Sequence, residues 1–227
     1  QGEIGGCLAG IFLVADGCGG LRHGEKISQL LADSFAVIWD QELPRLLTAA
    51  HWWDEQILTA AVGWAERINE TAYAFGQQTG ERVGSTMSLL MTLDDRYYIL
   101  NTGDSRVYLR RGESFQRLTE AQSVVADMLR NREITPEEAE RATFQNALTM
   151  CVGYFPRLRP FLARGRLRRG DLFLLCSDGL YRGLGEERLP ACLPDRVTEA
   201  SARQLRACIP PGGAEDNVTA LLVEILF

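Results

Sequence analysis

The stretch TMSLLMTLDDRYYILNTGDSRVYLRRG, running from Thr86 to Gly112, holds three apolar runs separated by two turn-forming pairs. Thr86 to Leu93 and Arg96 to Thr102 flank Asp94-Asp95, and Gly103-Asp104 leads on to Val107 to Arg110. Links this short join antiparallel neighbours, because a parallel pair needs a long crossover between its strands. Past the Arg111-Gly112 turn, Phe115 to Leu118 adds a fourth strand, and the whole reads as an antiparallel meander.

Upstream, Cys7 to Ala15 is a short apolar run closed by Asp16-Gly17, which predicts a strand entering a loop. Between the two lie helices. Ile27, Leu30, Leu31, Phe35 and Ile38 recur at helical spacing, and Ile57, Ala61, Trp64, Ile68, Ala72 and Phe75 repeat the pattern after Pro44 and Trp52-Trp53. Two amphipathic helices of about six turns each are predicted. Downstream, Glu120 to Thr143 is polar and helical, with Pro136 at a helix start and a thin apolar face of Val124, Val125, Met128 and Leu129. It predicts a weakly buried, lid-like excursion. Leu172 to Cys176 predicts a strand, Thr198 to Ile209 a helix, and Val218 to Leu226 a closing strand. Strands and helices are grouped and do not alternate, so the class is α+β with antiparallel sheets and not a doubly wound fold.

The 227 residues are 46% apolar and 24% charged, the composition of a globular chain with a real core. Thirty acids against 24 Lys and Arg leave a net charge of −6, and no basic run exceeds two residues, which argues against nucleic-acid and membrane-surface partners. Six cysteines form no CxxC pair and read as buried small hydrophobes in a reducing compartment. Without an apolar stretch of about 18 residues, a cytoplasmic location is expected. The first residue is Gln1 and the first methionine Met87, so further sequence is expected upstream.

Four aspartates share one context. Asp16, Asp104 and Asp178 follow apolar strands and Asp216 precedes one, each beside a Gly, Ser or Asn. Any one alone reads as a turn residue. If the strands belong to one packed sheet system, the four can converge, and carboxylates brought together repel unless divalent cations lie between them. Two histidines and no Cys/His cluster leave an all-oxygen donor set, which suits Mg²⁺ or Mn²⁺ and not zinc.

Val14-Ala15-Asp16-Gly17-Cys18-Gly19-Gly20 with Gly24-Glu25, Gly84-Ser85-Thr86, Gly103-Asp104-Ser105-Arg106, Leu118-Thr119, Cys176-Ser177-Asp178-Gly179-Leu180 and Asp216-Asn217-Val218-Thr219 come in one order across the chain. Together they resemble the bacterial type 2C metal-dependent Ser/Thr protein phosphatases, the PPM family. The resemblance implies a four-layer α/β/β/α sandwich of two antiparallel sheets flanked by helices. Residues 1–227 would form a single phosphatase domain, with a flap subdomain at about 119–163. It also implies two tight metals: Asp16 bridges both, the Gly17 carbonyl binds one, and Asp178 and Asp216 hold the other. Asp104 with Asp178 would hold a third, weaker ion. A metal-bridging hydroxide then attacks the phosphoryl group, with no phospho-enzyme. Implied partners are phosphorylated proteins and a cognate Ser/Thr kinase, and a monomer is expected.

The sequence departs from the family at several points. The family's first motif, an Arg followed by Asn-Glu-Asp, fits nothing before Asp16 and is expected upstream of Gln1; its loss would instead make a pseudophosphatase that binds phosphoproteins or a kinase. Cys18 stands where members carry Met or His, as a packed thiol or one perturbed by the cations. His23 lies two residues past a position where many members have His, and either reaches the site or starts the helix. His51, beside Trp52-Trp53, reads as structural. Ala121-Gln122-Ser123 replaces the family's Asp-His-Ser after Leu-Thr. Arg106 either serves the site or pairs with a nearby carboxylate.

Overall fold

In a computed structural model of the chain, residues 1–18, 21–48, 54–213 and 216–227 are described. Two antiparallel sheets form its centre. The first is built from β1 (Gly2–Ile4), β2 (Cys7–Val14), β3 (Met87–Leu93), β4 (Arg96–Thr102) and β7 (Phe161–Arg166), in that spatial order. The second places β6 (Ser114–Arg117), β5 (Arg106–Arg111), β8 (Leu172–Cys176) and β9 (Ala220–Glu224) side by side. The helices α1 (Gly24–Val37), α2 (Leu43–Thr48) and α3 (Asp54–Thr79) cover the first sheet. The shorter α6 (Asp178–Leu184), α7 (Leu189–Cys192) and α8 (Ser201–Ala207) cover the second. Between β6 and β7 lie α4 (Val124–Arg130) and α5 (Pro136–Glu140).

The period-2 alternation of side chains sorts the strands into three cores. Met87, Leu89, Met91 and Leu93, with Tyr98 and Leu100, pack on the helices of the first layer. Their neighbours Leu90, Tyr97 and Ile99 face inward and meet Val107, Leu109, Phe173 and Leu175 of the other sheet. Tyr97 and Phe173 touch edge to face across that interface, with ring centroids 5.2 Å apart. Tyr108, Leu172, Leu174 and Cys176 point outward to Leu180, Leu184, Leu189 and Leu205. The result is the expected α/β/β/α sandwich.

Four elements run differently from the sequence reading. The first helix does not stop before Pro44: α1 passes through a π-helical turn, Ile38–Glu42, into α2, and Pro44, which has no N–H to give, lies directly after that turn. The polar section breaks into two short helices, the second opened by a Thr135–Glu138 capping box with Pro136 behind it. The last helix and last strand are each trimmed at both ends. Strands β1 and β7 and helices α6 and α7 were not expected, and β7 takes residues 161–163 from the end of the lid segment. His51, Trp52 and Trp53 lie outside the described residues, as do Gly19 and Gly20 of the first motif.

Candidate metal centre

The registers bring the four aspartates to one end of the sandwich. Val14 pairs with Ser88 and Met87 with Thr102, which sets Asp16 across from Thr86 and Gly103 beside it. The chain then crosses from β4 to β5 through Gly103-Asp104-Ser105, passing from one sheet to the other. In the second sheet Arg106 pairs with Cys176 and Cys176 with Ala220, so Asp104, Asp178 and Asp216 leave three neighbouring strands on the same side.

Local hydrogen bonds fix each backbone. The Asp16 carbonyl accepts from the Thr86 N–H at 2.8 Å and the Ser85 hydroxyl at 3.0 Å, while its own N–H donates to Thr86 Oγ1. Thr86 Oγ1 shares a 2.8 Å bond with Ser105 Oγ, tying the Asp16 loop to the Asp104 turn. The loop after Asp16 packs directly on the start of α1: a β-carbon on Gly17 would lie 2.6 Å from the Gly24 carbonyl carbon. Ser177 Oγ accepts from the Thr219 N–H at 3.0 Å and donates to the Asn217 carbonyl, joining the Asp178 and Asp216 segments.

Electrostatics reports the same convergence. Burial, then the charges of Asp178, Asp216 and Asp104, push the Asp16 carboxyl up to about 7. Asp104, 8% exposed, is pushed up to about 6, first by burial and then by Asp178, against the opposing pull of Arg182. Arg182 reaches both acids, Nε 3.3 Å from Asp178 Oδ2 and Nη2 3.5 Å from Asp104 Oδ2. Among the described residues, no three His, Cys, Asp or Glu side chains stand at ligand spacing around one point. The donors are nonetheless of one chemical kind, carboxylates with adjacent backbone carbonyls, which fits a hard divalent cation.

Of the other residues singled out, Arg106 is the partner of a carboxylate. Its Nη1 donates to Glu186 Oε2 at 2.5 Å, and its guanidinium lies 3.5 Å from the Tyr181 ring centre. His23 stands at the N-cap position of α1 in a left-handed conformation, with Nε2 2.8 Å from Glu81, and its ring meets that of Phe75 in a T-shaped contact. The half-buried Cys18 thiol lies beside Cys151, and that neighbour together with desolvation pushes it far above the ordinary thiol range. Gln122 donates to the Arg159 carbonyl and accepts from the Gly103 N–H, anchoring the lid segment beside Asp104. Sequence reasoning missed Arg182; its i,i+4 spacing from Asp178 was legible only once α6 was known to be a helix.

A helix-flanked pair of antiparallel sheets with an all-aspartate edge defines a class of protein suited to chemistry with hard divalent cations. Residues 6–225 match the family model described as Protein phosphatase 2C, and the chain belongs to that family. It is similar to the Protein phosphatase PhpP of Streptococcus pneumoniae serotype 2, 29% identical over 218 residues covering 95% of this chain and 85% of the relative. It is also similar to the Serine/threonine phosphatase stp of Listeria welshimeri serovar 6b, 31% identical over 217 residues, 94% of this chain and 84% of the relative. The solved catalytic domain of the serine threonine protein phosphatase PstP in complex with two manganese ions superposes with a TM-score of 0.77 at 26% identity, covering 97% of this chain and 91% of that one. No described helix is long and apolar enough to cross a membrane.

Proposed function

We propose that this chain is a protein-serine/threonine phosphatase that hydrolyses phosphoserine and phosphothreonine esters with Mn²⁺ or Mg²⁺. Asp16, the Gly17 carbonyl, Asp178 and Asp216 would hold two ions tightly, and Asp104 with Asp178 a third more weakly. When bound, such ions supply a hydroxide near neutral pH and positive charge for the phosphoryl oxygens. The chain's own part is placement: Ser85, Thr86 and Ser105 fix Asp16 and Asp104, and Ser177 fixes the Asp178 and Asp216 segments. No side-chain nucleophile is called for.

One observation carries the reading: the Asp16 carboxyl feels all three other aspartates. Acids gathered where their charges push the Asp16 and Asp104 carboxyls up are costly unless cations offset the repulsion. The similarity to PhpP and stp along almost the whole chain supports protein phosphoesters as substrates, and a structure of PstP holding two manganese ions supports Mn²⁺. Nothing favours a pseudophosphatase over an enzyme. Residues 119–163 would act as a flap beside the site within one phosphatase domain. The protein would work as a cytoplasmic monomer against a cognate Ser/Thr kinase. A phosphothreonine peptide tests the proposal: hydrolysis should require added Mn²⁺ or Mg²⁺ and stop in EDTA, and full activity in EDTA refutes it.

A further inference from the structure

Arg182 is bound on two sides at once. Its Nε and Nη2 face Asp178 and Asp104 at 3.3 and 3.5 Å. Its Nη1 donates to Asn146 Oδ1 at 2.5 Å, and Nη2 to the Gln145 carbonyl at 3.3 Å. The first pair belongs to the acidic edge, the second to the far end of the lid segment. The side chain also lines two cavities. One, of about 680 Å³, is lined by Asp104 and the apolar faces of α4 and α5; the other, of about 760 Å³, is lined by Asp178 and Asp216.

The two carboxylate contacts are long and single-point, and the arginine side chain is 34% exposed although the acids are only 11% and 13% exposed, so a cation of higher charge and shorter reach can take its place. A divalent ion on the same two carboxylates carries twice the charge at shorter range and therefore competes well. Arg106 is held differently, by Glu186 and Tyr108 and by the face of Tyr181, and only 14% of its side chain is exposed.

We infer that Arg182 is a positioning residue for the metal centre, a tethered cation that occupies the place between Asp104 and Asp178 and latches the 145–146 segment there until an ion displaces it. This inference rests on the metal-centre reading proposed above. Arg182 sets how strongly the weakest ion binds, and it couples that binding to release of the lid segment. A freed guanidinium then faces the two cavities, where a phosphoryl group would enter.

The test combines Mn²⁺ calorimetry with hydrogen exchange on the full chain. Arg182→Gln should tighten the weakest Mn²⁺ step roughly tenfold, since the competing charge is gone. Exchange across residues 143–150 should rise in the metal-free variant to the level that Mn²⁺ produces in the wild type. Arg182→Lys keeps the charge but not the planar fork, so its Mn²⁺ affinity should stay within about twofold of wild type while the 143–150 segment loosens. Weaker or unchanged Mn²⁺ binding in Arg182→Gln overturns the inference and leaves the metal centre standing. A wild type that takes up no Mn²⁺ overturns both. Should Arg182→Gln fail to fold, the wild type alone decides: exchange across 143–150 that ignores Mn²⁺ overturns the latch, and exchange that rises with it supports it.

Discussion

Gly179 and Asn217 are in such close contact that a β-carbon on Gly179 would lie 2.3 Å from the Asn217 carbonyl oxygen. That approach seats the start of α6 against the segment leading into β9, and it places Asp178 and Asp216 on facing backbones. Gly179→Ala must push the two apart. We expect Mn²⁺-supported turnover to fall at least about tenfold while circular dichroism stays native, because a 1 Å misplacement in a site costs far more than it does in a fold. Near-native turnover in Gly179→Ala would show that the two acids do not act together.

Asp16 predicts a pH signature in the metal-free protein. Its carboxyl ordinarily titrates at 3.8 and is pushed up to about 7 in the fold, so between those values the native state binds more protons than the unfolded chain. Stability must therefore fall as pH rises through that window and level off above it. In EDTA, the wild-type melting temperature should drop from pH 5 to pH 8, and Asp16→Asn should lessen the drop and melt higher at pH 8. An equal drop in the variant would contradict the picture of converging carboxylates.

Asp104 should behave unlike Asp16. Asp104→Ala is expected to keep the two tight Mn²⁺ steps in calorimetry and to lose only the weakest, with turnover falling strongly. Asp16→Ala should abolish tight binding altogether, since its carboxylate is the proposed bridge. Retained full activity in Asp104→Ala would remove the weak ion from the reaction.

Arg106 predicts a cost in stability. Arg106→Ala strips Glu186 of its closest charge partner, removes the cation from the Tyr181 face and leaves the Tyr108 hydroxyl with Glu186 alone. A loss of about 2 kcal/mol is expected in urea unfolding. Arg106→Lys should recover only part of it, because a lysine cannot reproduce a flat guanidinium against a ring.

How far the sequence was legible follows from where each element gets its stability. Met87 to Leu93 and Arg96 to Thr102 are interior strands buried on both faces, so they announce themselves as unbroken apolar runs. The strand Phe161–Arg166 lies at a sheet edge, and its outward Arg164 and Arg166 pair with Asp54 and Asp95, so its sequence reads as a polar loop. Helix α6 is seven residues long and contains two glycines; its pattern says turn, and only the packing of Leu180, Tyr181 and Leu184 on the second sheet makes it a helix. The four aspartates stood out through their shared place at strand ends. Arg182 carried no such mark, because its meaning depends on a helix that local propensity does not predict.

The β4–β5 crossing puts the acids at one end of the sandwich and leaves the other end to the turns at Asp94-Asp95, Gly112-Glu113 and Gly170. Those turns lie at the end of the sandwich away from the four aspartates, and a β-carbon on Gly112 or Gly170 would meet nothing within 4 Å. An affinity tag inserted between Gly112 and Glu113 would attach the protein to a solid support by its inert pole. The acidic edge would then face the bulk solution, ready for immobilised binding measurements with metal ions and phosphopeptides.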